Sequence, residues 1–291
     1  MTFMALLIKE MRLRMRRERT IWLIVVYILL LGLLGWLDIS VSSSAAAYGG
    51  NWTNIGIGLY TMLLIVQLFL ILFITPAFTA TTVNGEKERQ TFDLLLCSRL
   101  SSTSLITGKL LAGLINAFLL IAASIPIFSL VFFFGGVSPL QALEALLVFI
   151  LTAILAASLG IFCSTLVARP AISTALSYVL LLLWLGLPLL FAILIPTNSN
   201  RAPSYLMWHP VMALLSTFNY GGLSPNNIYN VGPFNLAIWQ TYSIFNVLAT
   251  LILIGLSLWL VKPQAWQRLR LRTHKNDATV LKNETKASAT A

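Results

Sequence analysis

The sequence predicts an all-α polytopic membrane protein with six transmembrane helices. Three observations carry that reading. The first is composition: 58% of the 291 residues are hydrophobic and the mean hydropathy is +0.87. Soluble domains are typically only about half apolar, so this chain has more apolar surface than a soluble core would hide. The second is length: six apolar runs, at 21–37, 55–78, 105–134, 140–167, 171–195 and 241–261, come close to or exceed the roughly 20 residues a helix needs to cross a bilayer. The third is charge: every Lys and Arg except Arg201 falls on one side of the membrane that those runs define.

Each element follows from that frame. Ahead of the first run lie Lys9, Arg12, Arg14, Arg16, Arg17 and Arg19. The connection between the second and third runs carries Lys87, Arg89 and Arg99, with Lys109 just inside the third. Arg169 marks the short turn between the fourth and fifth, and the tail is basic from Lys262 to Lys286. The positive-inside bias therefore places both termini in the cytoplasm, and the chain is expected in the cell (plasma) membrane. It also accounts for the net charge of +10 without nucleic acid as a partner. The third run is long for one straight crossing, so it starts in the interface or bends near Pro126; Pro188 could similarly kink the fifth.

Residues 1–20 divide into two faces at helical spacing. Phe3, Met4, Leu7, Ile8, Met11 and Met15 fall on one, and Lys9, Arg12, Arg16 and Arg19 on the other. Such a helix lies in the headgroup plane with its cations against membrane lipid, although a basic flank that only sets topology reads the same way. A cleaved signal peptide fits less well, because its apolar region usually runs to 7–15 residues and this one is longer. The tail, 262–291, begins on the membrane surface near Trp266 and ends in a small, polar, disordered stretch.

What the spans lack narrows the function. Lys109 and Glu144 lie near span ends and Asp38 just past one, whereas ion-coupled carriers place titratable groups near the midplane. The interior holds neutral polar residues, Gln67, Asn116 and Asn246, which either line a path or hydrogen-bond between helices. Cys97 and Cys163 read as ordinary small residues, and His209 and His274 lie outside the spans, so no metal or acid–base constellation is expected. No G-x-x-x-x-G-K-[ST] phosphate loop occurs, so the chain has no ATPase site of that kind. Catalytic residues: none. Small residues recur four apart at Ala156, Gly160 and Ser164, and at Gly108 and Ala112 before Asn116. They permit close helix approach within or between chains.

One segment stands apart. Residues 84–98 hold Glu86, Lys87, Glu88, Arg89 and Asp93, a concentration of both signs in a chain that is only 10% charged. Asn84 suits an N-cap, and the acids suit the positive end of a helix dipole. Phe92, Leu95 and Leu96 share an apolar face, while Glu86, Arg89, Gln90 and Asp93 fall opposite, toward water. Periodicity leaves two readings open, a plain connecting helix and a docking face.

The stretch "GEKERQTFDLLLCSRLSSTSLITGKLLAGL" from Gly85 to Leu114 resembles the permease subunit of ABC-2 type transporters, the membrane component of ATP-binding-cassette exporters. The matching residues are Glu86, Lys87, Glu88, Arg89, Thr91, Asp93, Leu95 and Leu96, then Gly108, Lys109, Leu110 and Leu111. The six-span layout with a long outer connection at 196–240 agrees. The resemblance implies that 84–98 is a coupling helix docked on a separate ABC-type ATPase subunit. It implies a second permease subunit, identical or not, and a path between the two bordered by spans two and five. ATP and Mg would be used by the partner, with no cofactor bound by this chain. It also implies capping helices in 196–240, where aromatic residues would alternatively form a simple interfacial belt. Two rival classes remain: a stand-alone pore or ion-coupled carrier, and a nontransporting membrane anchor or regulatory subunit.

Overall fold

The computed structural model describes residues 18–46, 52–88, 102–194, 204–218, 229–231 and 234–260. The expected interfacial helix at 1–20, most of the charged segment and the tail therefore lie largely outside the described residues. Among the described residues, six helices are long and apolar enough to cross a membrane. They belong to α1 (Glu18–Ala46), α2 (Trp52–Thr79), α4 (Ser102–Phe134), α5 (Pro139–Leu166), α6 (Pro170–Leu194) and α8 (Ile238–Leu260). Two short helices accompany them: α3 (Asn84–Glu88) after α2, and α7 (Pro210–Leu215) behind a 3₁₀ turn at Ser204–Trp208. A helix rises about 1.5 Å per residue, so the 33 residues of α4 make a rod longer than the roughly 30 Å hydrocarbon layer.

The all-α expectation describes the bundle and misses one feature. Tyr229–Val231 and Phe234–Leu236 pair antiparallel, with Tyr229 opposite Leu236 and Val231 opposite Phe234.

α2 and α5 form the centre of the bundle, and α6 is its least enclosed span. α4 packs on both central helices, α1 covers α2 and α4, and α6 lies mainly against α5. Aromatic rings fill the middle: Tyr60 meets Phe128 and Phe218 edge-on at centroid separations of 6.0 and 5.0 Å. Phe218 and its neighbours Ala213 and Leu214 are buried, because α7 packs against α2 and α5. Part of the long connection between α6 and α8 thus belongs to the core.

Turn chemistry fixes the junction of α4 and α5. Gly135 and Gly136 adopt φ of +76° and +92°, values that glycine alone reaches without strain. Ser138 then caps α5: its Oγ accepts from the Gln141 N–H at 3.3 Å, and Gln141 Oε1 accepts from the Ser138 N–H at 2.9 Å. With Pro139 opening the helix, this is a complete capping box. Gly56 sits against this turn, where a Cβ would overlap the Gly135 carbonyl oxygen.

Candidate functional site

The candidate site is the elbow, Ala80–Val83, that joins α2 to α3. Helix α2 ends where Thr79 and Thr82 turn the chain. The Thr82 N–H and Oγ1–H both donate to the Thr79 carbonyl, at 3.2 and 2.7 Å. Such a turn leaves backbone groups without helical partners, and burying them unpaired is costly. Ala80, Val83 and Asn84 are all buried here, so other helices must supply the missing partners.

Three helices do so. From α5, Ser164 Oγ accepts from the N–H groups of Val83 and Asn84, at 3.0 and 3.1 Å. The same hydroxyl donates to Asn84 Oδ1 at 3.2 Å, which uses its donor and both acceptor sites. From α6, Ser173 Oγ donates to the Ala80 carbonyl at 2.8 Å. From α4, Lys109 Nζ donates to the Thr82 carbonyl at 2.6 Å and pairs with Glu86 Oε2 at 2.5 Å. Glycines let these helices come close enough. A Cβ at Gly160 would overlap Thr79 Oγ1, and one at Gly113 would overlap Thr79 Cγ2.

This geometry places the sequence-predicted residues unequally. Glu86 was expected on the water-facing side of the segment; it turns inward, its side chain 27% exposed and engaged by Lys109. Glu88 is exposed, and Lys87 belongs to the same helix. Arg89, Phe92, Asp93, Leu95 and Leu96 lie outside the described residues. Lys109, assigned from sequence to a span end, is buried, its side chain only 3% exposed.

Gln67, Asn116 and Asn246 are all buried. Gln67 Oε1 accepts a hydrogen bond from the Tyr27 hydroxyl, linking α2 to α1. Asn246 approaches the Tyr242 hydroxyl, which in turn bonds Thr152 Oγ1 at 2.8 Å and links α8 to α5. Of the small residues, Gly160 and Ser164 pack within the chain, against the elbow. Gly113 makes the close approach on α4, a role sequence spacing had not distinguished. Among the described residues, His, Cys, Asp and Glu nowhere gather in groups of three that could hold a metal.

A second polar feature caps the opposite end of the bundle. His209 precedes α7, and its Nδ1 accepts from the Val211 N–H at 3.3 Å. Burial pushes the imidazole below its ordinary pKa, against a smaller opposing pull from the Leu185 backbone. The ring is therefore held in the neutral form that leaves Nδ1 free to accept.

Six apolar helices and a buried, cross-braced elbow at the start of α3 define a polytopic membrane protein. The family model for ABC-2 family transporter proteins matches residues 38–261, a stretch that includes the elbow and all or part of every span. The chain belongs to this family of membrane permeases. No curated protein matches it significantly.

Proposed function

We propose that the chain is the permease subunit of an ABC exporter, in which a separate ATPase docks on residues 84–98 and drives the bundle. The observation that carries this reading is the elbow. A connecting loop with no mechanical task could lie in water, where its backbone would be hydrated. Here it is buried and bonded to α4, α5 and α6 at once. Force applied to the segment therefore reaches three spans without passing first through α2.

The rest of the proposal draws on family membership and charge. The positive-inside rule puts the segment and both termini in the cytoplasm of a cell membrane, where an ATPase using ATP and Mg could reach it. Two permease subunits would enclose the path. Closure of the ATPases on ATP would shift the pair between inward- and outward-facing states as a rigid-body change.

The test is co-purification from native membranes in mild detergent. It compares the intact chain with one reversed at three charges of the segment other than Glu86 (Glu88→Lys, Arg89→Glu, Asp93→Lys). A Walker-motif ATPase that accompanies the intact chain and is lost from the folded variant is the expected result. Equal recovery with both forms would remove the segment from the docking site. Absence from both would favour the stand-alone pore or the anchor.

A further inference from the structure

The contacts at the elbow differ in what they hold. Ser164 and Ser173 bind the elbow and the first residue of α3. Lys109 reaches further, to a side chain in the first turn of α3, Glu86. It also carries a charge, and that changes the physics of separation. An ammonium whose side chain is 3% exposed needs charged or strongly polar partners, because an isolated buried charge is far more costly than a broken neutral hydrogen bond. Two of its partners, the Thr82 carbonyl and the Glu86 carboxylate, belong to the α2–α3 connection and not to α4. If α3 were pulled from α4, it would take those two partners away from a buried ammonium, a loss far more costly than that of a neutral hydrogen bond.

We propose that Lys109 is a positioning residue that binds α3, the start of the charged segment, to α4, so that α3 and the span move as one body. The purpose of that tie rests on the ATPase-docking reading, while its existence does not. Lys109 converts a hinge into a lever: Ser164 and Ser173 hold the pivot, and the ion pair prevents rotation about it. Charge is what makes the tie firm. An apolar side chain of the same length fills the same space, yet imposes no comparable penalty when the segment swings away.

Electron-spin distance measurement in lipid nanodiscs tests this on the full chain. Labels are placed at Gly85, where an added Cβ meets no neighbouring atom within 4 Å, and at Thr103, which is exposed, after Cys97 and Cys163 are replaced by alanine. The parent is expected to give one narrow distance distribution. That distribution should stay unchanged when the co-purifying ATPase and a nonhydrolysable ATP analogue are added. Lys109→Met combined with Glu86→Gln, which removes both charges of the pair, should widen the distribution without nucleotide and shift it with nucleotide. Lys109→Arg should restore the narrow form. If the double variant is not monodisperse in detergent, Glu86→Gln alone is the second test, with widening expected again.

A distribution as narrow in the folded double variant as in the parent, in both states, would overturn the proposal. If no ATPase binds the parent, the docking reading fails. The nucleotide-free widths still decide whether the tie exists.

Discussion

Gly160 faces Thr79 with no room for a methyl group between them. A Cβ at position 160 would overlap Thr79 Oγ1, stand 3.1 Å from Thr79 Cβ and reach 3.2 Å from the Ala80 nitrogen. The threonine cannot simply turn aside, since its Oγ1 donates to the Thr75 carbonyl at 3.0 Å and the residue is fully buried. Fixed backbone on one side and a buried side chain on the other make this a tight seam between α2 and α5.

Gly160→Ala should therefore destabilise the protein by about 1–3 kcal/mol, the usual cost of overpacking a filled core. Thermal unfolding in detergent measures it. Gly113→Ala should cost less than Gly160→Ala, because its clash is with the Thr79 methyl alone. Adding Thr79→Ser should relieve the Gly113 variant and leave the Gly160 variant largely unrelieved. Equal behaviour of the two glycine variants would contradict this account of the seam.

Ser164→Ala removes the acceptor of two buried backbone N–H groups at once. A buried donor left unpaired costs about 1–3 kcal/mol, so the loss should exceed that of an ordinary buried serine. Hydrogen exchange followed by mass spectrometry should show faster exchange in peptides covering Val83 and Asn84. Ser173→Ala should leave those two amides protected, since it bonds the Ala80 carbonyl instead. Unchanged protection in Ser164→Ala would mean that another group holds the elbow.

Acid should loosen α7. The pKa of His209 in the folded protein is lowered from 6.5, chiefly by burial, so the unfolded chain takes up a proton at a higher pH than the folded one. The stability it contributes is full above about pH 6.5 and is lost as pH falls through the lower folded-state value. The melting temperature in detergent should be flat at neutral pH and decline on the acid side. His209→Asn keeps a capping side chain that does not titrate, and should reduce that decline. The same acid-side loss in the variant would assign it to other groups.

The spans were legible because a bilayer demands long apolar runs, and the six helices answer six such runs. Their ends were less so: α1 continues to Ala46 through a serine-rich stretch where hydropathy had already fallen. The short hairpin is less legible, because Gly232-Pro233 between its two strands is a turn signal that a plain loop carries equally well. The elbow was the least legible part of the site. Ser164 and Ser173 lie about eighty and ninety residues from the groups they bond, and no local period records such a pairing. A helical wheel put Glu86 and Asp93 on one face but could not say which part of that face a neighbour would claim. The signal was nonetheless present, since Glu86 and Lys109 both belong to the stretch that resembles ABC-2 permeases, and their opposite charges invited pairing.

The central claim is that the charged segment receives an ATPase. Site-specific photo-crosslinking in native membranes tests it most directly, with a benzophenone amino acid placed at Glu88 on the segment or at Leu143 on the exposed flank of α5. The account predicts a crosslink from position 88 to a Walker-motif ATPase and none from position 143. A crosslink to such an ATPase from position 143 but not from position 88 would contradict it.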